Sequence, residues 1–127
     1  MSETRKGYFY SSTDEWVKID GDIATIGISD YAQHHLGDIV FVEIKEKGTQ
    51  QKKGDVLTTI ESVKSASDIY SPVSGTLIEM NDKLEQDSGI INKSPYDEGW
   101  IAKIQIQNKD EVNELMNDQK YQDYRKE

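Results

Sequence analysis

No stretch of this chain stays apolar for long. The longest aliphatic-aromatic run is Ile39 to Val42, and the other apolar clusters are cut short by Gly, Pro, Asn, Asp or Ser. A run of that length cannot cross a bilayer as a helix. Short β-branched segments closely punctuated by turn residues instead predict strands folded into a sandwich or barrel.

Trp16, Val17 and Ile19 lead into Asp20-Gly21, after which Ile23, Thr25 and Ile26 to Ile28 resume the β-branched pattern. Asp-Gly between two such runs predicts a tight hairpin. From Ser29 or Asp30 the pattern becomes helical: either side chain can cap, Tyr31, Ala32, His35 and Leu36 share a face, and Gly37 supplies the stop. Strands are expected at Ile39–Ile44, Val56–Val63, Ala66–Tyr70, Thr76–Met80 and Trp100–Ile106. Glu46 to Asp55, Ser71-Pro72, Ser74-Gly75, Asn81 to Gly89 and Pro95 to Gly99 are the breaks between them. After Asn108 a helical segment is expected, with Val112, Leu115 and Met116 as its stripe, Asn117-Asp118 as a break or new cap, and Tyr121 and Tyr124 docking a last turn. We therefore expect one domain over 1–127, with a core at about 8–107 and a C-terminal helical segment at about 109–125. A chain of 127 residues buries roughly two-thirds of its unfolded surface, enough for one core.

Within this pattern the segment from Gly54 to Gly75 is nearly symmetric about Lys64, which lies ten residues after the first glycine and eleven before the second. That places Lys64 at a hairpin tip with its amine turned outward. A lysine on a polar turn is usually only a solvated charge. Here Ser65, Ala66 and Ser67 are small enough to leave the amine accessible while the strands behind it stay rigid, which suits enzymatic modification.

The rest of the composition narrows the chemistry. With 15 Lys+Arg against 24 Asp+Glu, the net charge is −9, which repels nucleic acid and anionic membrane surfaces. There is no cysteine, so disulfides, thiolate nucleophiles, iron–sulfur ligation and cysteine-based zinc sites are excluded. His34 and His35 are adjacent, so on a helix they diverge by about 100° and do not converge on a metal; one is expected exposed and the other partly buried. Asp20 and Asp22 lack the ligand ladder of a calcium loop. No nucleophile elbow, phosphate-binding loop or dinucleotide fingerprint occurs. Met1 to Tyr8 contains no apolar leader, which points to a cytoplasmic protein.

The stretch ESVKSASDIYSPVSG, Glu61 to Gly75, resembles the lipoylation motif of the H-protein family of the glycine cleavage system. Asp14-Glu15-Trp16-Val17, Ala24 to Ile44 and Asn92 to Trp100 resemble further H-protein segments in the same order and spacing, so the similarity covers about residues 8 to 124. Biotinyl domains, with Met-Lys-Met, and lipoyl domains of 2-oxo acid dehydrogenase complexes, with Asp-Lys-Ala, fit less well, because Val63 and Ser65 flank this lysine.

The resemblance implies a mainly β fold, a flattened two-sheet barrel-sandwich hybrid of the lipoyl-domain type, with one short internal helix and C-terminal helices. It also implies a non-catalytic, monomeric carrier with lipoic acid in amide linkage to Lys64. Amidation removes the ammonium charge and leaves a long, largely apolar arm. Such a carrier takes an aminomethyl group from the P protein (glycine decarboxylase), delivers it to the T protein (aminomethyltransferase) and is reoxidised by the L protein (dihydrolipoyl dehydrogenase). Glu61 and Gly48 match positions recognised by the lipoate-attaching enzyme; their plain alternatives are a solvated strand carboxylate and an ordinary turn glycine.

Thr13, Glu15, Ile28, His35, Leu36 and Asp68 match a cleft that shelters the loaded arm. Ile28 and Leu36 would supply apolar contact, Glu15 and Asp68 would pair with an amine, and Thr13 and His35 would hydrogen-bond it. Core packing is an equal expectation for the apolar members. Asp14 departs from the family's usual histidine, adding negative charge beside the amine site, where it would either alter arm docking or sit in solvent. Thr13 stands where serine is frequent, and Ile44-Lys45-Glu46 replaces a common Leu-Pro-Glu. An H-like protein serving as a lipoyl relay, or in interactions outside glycine cleavage, remains the alternative, because a relay needs the same exposed lysine.

Overall fold

In the computed structural model, which describes residues 2–126, the hairpin expected at Asp20-Gly21 forms, but its two turn residues are Gly21 and Asp22, because Asp20 already pairs with Ile23. Strands β2 (Glu15–Asp20) and β3 (Ile23–Ile28) pair antiparallel from Asp20↔Ile23 to Glu15↔Ile28, with Gly21 at φ 64°. They join β1 (Phe9–Tyr10), β9 (Ala102–Ile106), β8 (Gly75–Met80) and β5 (Gln50–Gln51) in a six-stranded sheet ordered β1-β2-β3-β9-β8-β5. A second sheet holds β4 (Ile39–Val42), β6 (Val56–Ser62) and β7 (Ala66–Tyr70) in that order.

Period-two alternation explains how the two sheets meet. On β6, Thr58 and Ile60 are buried while Glu61 is exposed; on the facing sheet Ile26, Leu77 and Ile104 are buried. These side chains merge with Val42, Leu57 and Ile69 into one aliphatic core. The expected two-sheet, mainly β architecture is therefore present, and neither sheet closes on itself.

Helix α1 (Asp30–Leu36) sits between β3 and β4, and both of its ends follow from sequence. Ser29 Oγ accepts from the Ala32 N–H, and Gly37, at φ 78°, terminates the helix. A second, aromatic cluster contains Tyr10, Trp16, Tyr96 and Tyr121, with the Tyr10 and Tyr121 rings stacked at 4.4 Å.

Several expectations need correction. β1 and β5 span two residues each and escape prediction, since two residues cannot display a period. Of two four-residue helices, α2 (Lys83–Gln86) lies within the Asn81 to Gly89 segment expected to be only a break, and α3 (Ile90–Lys93) directly follows it. The C-terminal segment at about 109–125 is not helical throughout. A 3-10 turn covers Lys109–Glu114, Leu115 is extended, and Met116 exchanges two 2.8 Å backbone bonds with Tyr10, satisfying an edge that β1 would otherwise leave open. Asn117 then caps a new helix, α4 (Asp118–Tyr124), accepting from the Lys120 N–H at 2.8 Å. Tyr121 is buried as expected, whereas Tyr124 stays exposed. No helix among the described residues is long and apolar enough to cross a membrane.

Candidate functional site

Lys64 lies in the turn that joins β6 to β7, and the turn is held by a serine. Ser62 accepts through Oγ from the N–H groups of Lys64 (3.1 Å) and Ser65 (3.2 Å), while its own N–H donates to the Ser65 carbonyl at 2.8 Å. This is the local hydroxyl-to-backbone bonding that makes serine a turn former. The Val63 N–H donates to the Asp38 carbonyl at 2.9 Å, tying the tip to the start of β4. The amine is thus displayed on a fixed turn.

The Lys64 side chain is exposed and leans towards the C-terminal end of α1. Its ammonium donates to the His35 carbonyl at 3.2 Å. A cation at a helix C-terminus meets the carbonyls the helix leaves unpaired, a favourable placement. No carboxylate among the described residues forms an ion pair with it. Gly37 is needed here for its positive φ; a Cβ at this position would stand 2.8 Å from Lys64 Cε, the movable end of an exposed side chain.

At the other end of β7, Glu15 links the second sheet to the Ser11–Glu15 loop. The carboxylate accepts from Ser11 Oγ and Thr13 Oγ1, both at 2.6 Å, and from the Tyr70 N–H at 3.2 Å. It is only 1% exposed, and burial pushes its carboxyl above the usual range; the Ser11, Thr13 and Tyr70 donors pull the other way. Ile28, its cross-strand partner, is also buried and belongs to the aliphatic core. Both residues face inward in this conformation.

The remaining positions are more dispersed. Asp68 lies exposed on the outer face of β7 and accepts from Thr59 Oγ1 at 3.0 Å. Leu36 is half-buried against the core. Both histidines are exposed, so the expectation that one would be partly buried fails; His35 lies against Tyr31, ring centroids 4.3 Å apart and planes tilted by 42°, instead of packing inward. A cavity of about 660 Å³ opens between α1 and α4, lined among others by Tyr31, His35, Tyr121 and Arg125. Of the six positions expected in an arm cleft, only His35 borders it. Glu61 is exposed on β6, opposite Phe41 and Ala66. Gly48, at φ 94°, faces open space, where a Cβ would meet no atom within 4 Å; its N–H donates to the Leu77 carbonyl on the other sheet, away from the hairpin tip.

Asp14 does not sit free in solvent. Its carboxylate accepts from Arg125 Nε (2.8 Å) and Nη2 (2.7 Å) and from the Tyr121 hydroxyl (2.7 Å), so its charge is matched and directed towards α4. Its backbone adopts φ 79°, a left-handed conformation unusual for a residue with a side chain, and its carbonyl accepts from the Ser29 N–H that begins the α1 cap. The contributions of Ser11, Ser62 and Arg125 lie beyond the sequence reading, and of these only Ser62 carries a sequence cue, as a serine opening a tight turn; Gly37 is readable as the helix stop but not as a neighbour of Lys64.

The whole-chain comparisons agree with this fold. The family model for "Glycine cleavage H-protein" matches residues 8–127. The chain belongs to the glycine cleavage H-protein family. It is 48% identical over 121 residues to the mitochondrial glycine cleavage system H protein of Oryza sativa subsp. indica, spanning 95% of this chain and 74% of that protein. It is 45% identical over 115 residues to the glycine cleavage system H protein of Thermotoga maritima, spanning 91% and 93%. The crystal structure of a glycine cleavage system H protein from Mycobacterium marinum superimposes with a TM-score of 0.86 at 31% identity, covering 94% of this chain and 97% of that one.

Proposed function

We propose that this H-family protein is the lipoyl-bearing carrier of the glycine cleavage system, with lipoic acid amide-linked to Lys64. The observation that supports this most is the state of Lys64: an exposed primary amine on a serine-braced turn, held by one backbone carbonyl and by no carboxylate among the described residues. Such an amine can be presented to an enzyme without breaking an ion pair. The group fits this position, because the turn is fixed, the neighbouring side chains are small, and space around the tip is open to solvent.

When attached, the group supplies a redox-active dithiolane that this cysteine-free chain lacks. The chain's own residues then present and shelter it. The β6–β7 turn fixes the root of the arm, and the His35 carbonyl orients Nζ. Thr13, His35 and Asp68 would offer polar contacts to the attached arm, and Leu36 would offer apolar contact. Glu15 and Ile28, both inward-facing, would hold the loop and strand beside it. Glu61 and Gly48 are the proposed recognition positions for the lipoate-attaching enzyme. The carrier catalyses no step itself; decarboxylation, one-carbon transfer and reoxidation belong to the P, T and L proteins.

Intact mass after incubation with lipoate and its ligase tests the attachment. One lipoyl increment is expected in the parent and none in Lys64→Arg; an increment surviving in the variant overturns the assignment. Lipoylated parent protein should support glycine–bicarbonate exchange with P protein. A fully lipoylated chain that supports none would instead be a relay.

A further inference from the structure

Of the six large apolar or aromatic side chains that stay exposed among the described residues, five lie on the three-stranded sheet or its tip: Val40, Phe41, Val56, Val63 and Tyr70. The six-stranded sheet carries none of them. Clustering on one face distinguishes this from the scattered exposed hydrophobics of an ordinary surface.

A backbone irregularity produces the part of the cluster nearest Lys64. β4 pairs with β6 as Ile39↔Ser62 and Phe41↔Glu61, two residues on one strand against one on the other. That is a β-bulge, and Val40 is its extra residue. Without it, regular alternation would turn one of two successive side chains inward. With it, Val40 and Phe41 are 57% and 51% exposed, while Ile39 and Val42 on either side remain in the core. Phe41 and Glu61, being cross-strand partners, lie side by side on the outer face. Val63, 66% exposed, extends the apolar surface to the residue before Lys64.

Acidic side chains surround this surface. Asp38, Glu43 and Glu61 are exposed around it; Lys64 stands at its tip, and Lys45 is half-buried with its ammonium donating to the Val56 carbonyl at 2.6 Å. The complementary partner surface has an apolar recess and a basic rim.

We propose that Val40, Phe41 and Val63 dock the enzyme that modifies the Lys64 amine. The proposal rests on the attachment reading above and names the surface that recognition would use. A lysine side chain is short, so an enzyme forming a bond at Nζ must close against the residues flanking the tip. Partners that meet only the far end of a long arm need not. The bulge therefore adds hydrophobic anchorage beside Glu61, where the carboxylate supplies charge.

The test is steady-state lipoylation by lipoate–protein ligase with Phe41→Ser, Val40→Ser and, as a control away from this face, Tyr124→Ser. Loss of a central apolar contact is expected to raise KM for the carrier about tenfold in Phe41→Ser, with kcat unchanged. Val40→Ser should act in the same direction, and Tyr124→Ser should leave KM within about twofold of the parent. Thermal melts check that each variant is folded. If the parent is lipoylated at Lys64 and both bulge variants keep its KM, the docking proposal falls while the attachment reading stands. A parent that is never lipoylated defeats the attachment reading first. Unchanged ligation with a raised KM for the P protein would assign the face to that enzyme and overturn the proposal.

Discussion

The aliphatic core between the sheets and the aromatic corner at Tyr10, Trp16, Tyr96 and Tyr121 bury comparable side chains by different chemistry. Leu57, Ile60, Leu77 and Ile104 bring no side-chain polar atoms and ask only for volume. Each ring of the corner brings a donor or acceptor that must be matched. Trp16 Nε1 donates to the Pro95 carbonyl at 3.0 Å, the Tyr10 hydroxyl accepts from the Arg5 N–H at 2.7 Å, and the Tyr96 hydroxyl donates to the Glu3 carbonyl at 2.7 Å. The Tyr121 hydroxyl bonds Ser29 Oγ at 2.6 Å and Asp14 Oδ1 at 2.7 Å.

The core therefore holds two sheets together, whereas the corner ties segments distant in sequence to the ends of the site-bearing loop and helix. Burial raises the Tyr10, Tyr96 and Tyr121 hydroxyls above the ordinary tyrosine range, so they act as neutral hydrogen-bonding groups near neutral pH.

This contrast can be broken most forcefully at Trp16. Trp16→Ala should cost about 3–5 kcal/mol in urea unfolding, because the ring is fully buried and Gly27, whose Cβ would stand 2.6 Å from the indole, leaves a void that cannot fill itself. Tyr121→Phe keeps the ring and removes the hydroxyl, at about 1–3 kcal/mol. It should also speed amide exchange in α1 beyond the global loss, since Ser29 and Asp14 both lose a partner. Ile60→Val, in the aliphatic core, should cost about 0.5–1.5 kcal/mol and change α1 exchange only in step with global stability. Equal local effects in these last two variants would erase the distinction between core and corner.

The smallest expected effect is the response to pH at Glu15. Its carboxyl is held above the usual range by burial, so just above that range the native state keeps a proton that the unfolded chain has released. Stability should fall as pH rises through that window, and Glu15→Gln should flatten the slope. Urea midpoints measured from mildly acidic to neutral pH would show it; an unchanged slope in the variant removes Glu15 as the cause.

Sequence legibility follows the same division. The Asp20-Gly21 hairpin, the Ser29 cap, the Gly37 stop and the span Ala66–Tyr70 are readable because each depends on residues a few positions apart. The Asp14–Arg125 pair is not, because its members are 111 positions apart and no local pattern announces them. Met116 fails differently: its apolar character fits a helical stripe, but the open edge of β1 outweighs helix continuation. The Val40 bulge is invisible because Ile39 to Val42 reads as an ordinary buried strand. At the site, Lys64 is legible from symmetry, while the inward turn of Glu15 depends on donors from Ser11 and Tyr70.

The contact between Lys64 Nζ and the His35 carbonyl bears on how far an attached arm can search. An ammonium has three donors and an amide nitrogen one, so conversion to the amide removes the charge yet leaves a hydrogen able to point at the same carbonyl. Were that bond kept, the pivot would move outward from the lysine backbone to Nζ, and the four methylenes behind it would stop contributing to the tether. A shorter effective tether confines the free end to a smaller volume and raises its local concentration at nearby surfaces. A single backbone oxygen at the end of a seven-residue helix would thus set the reach of the whole arm.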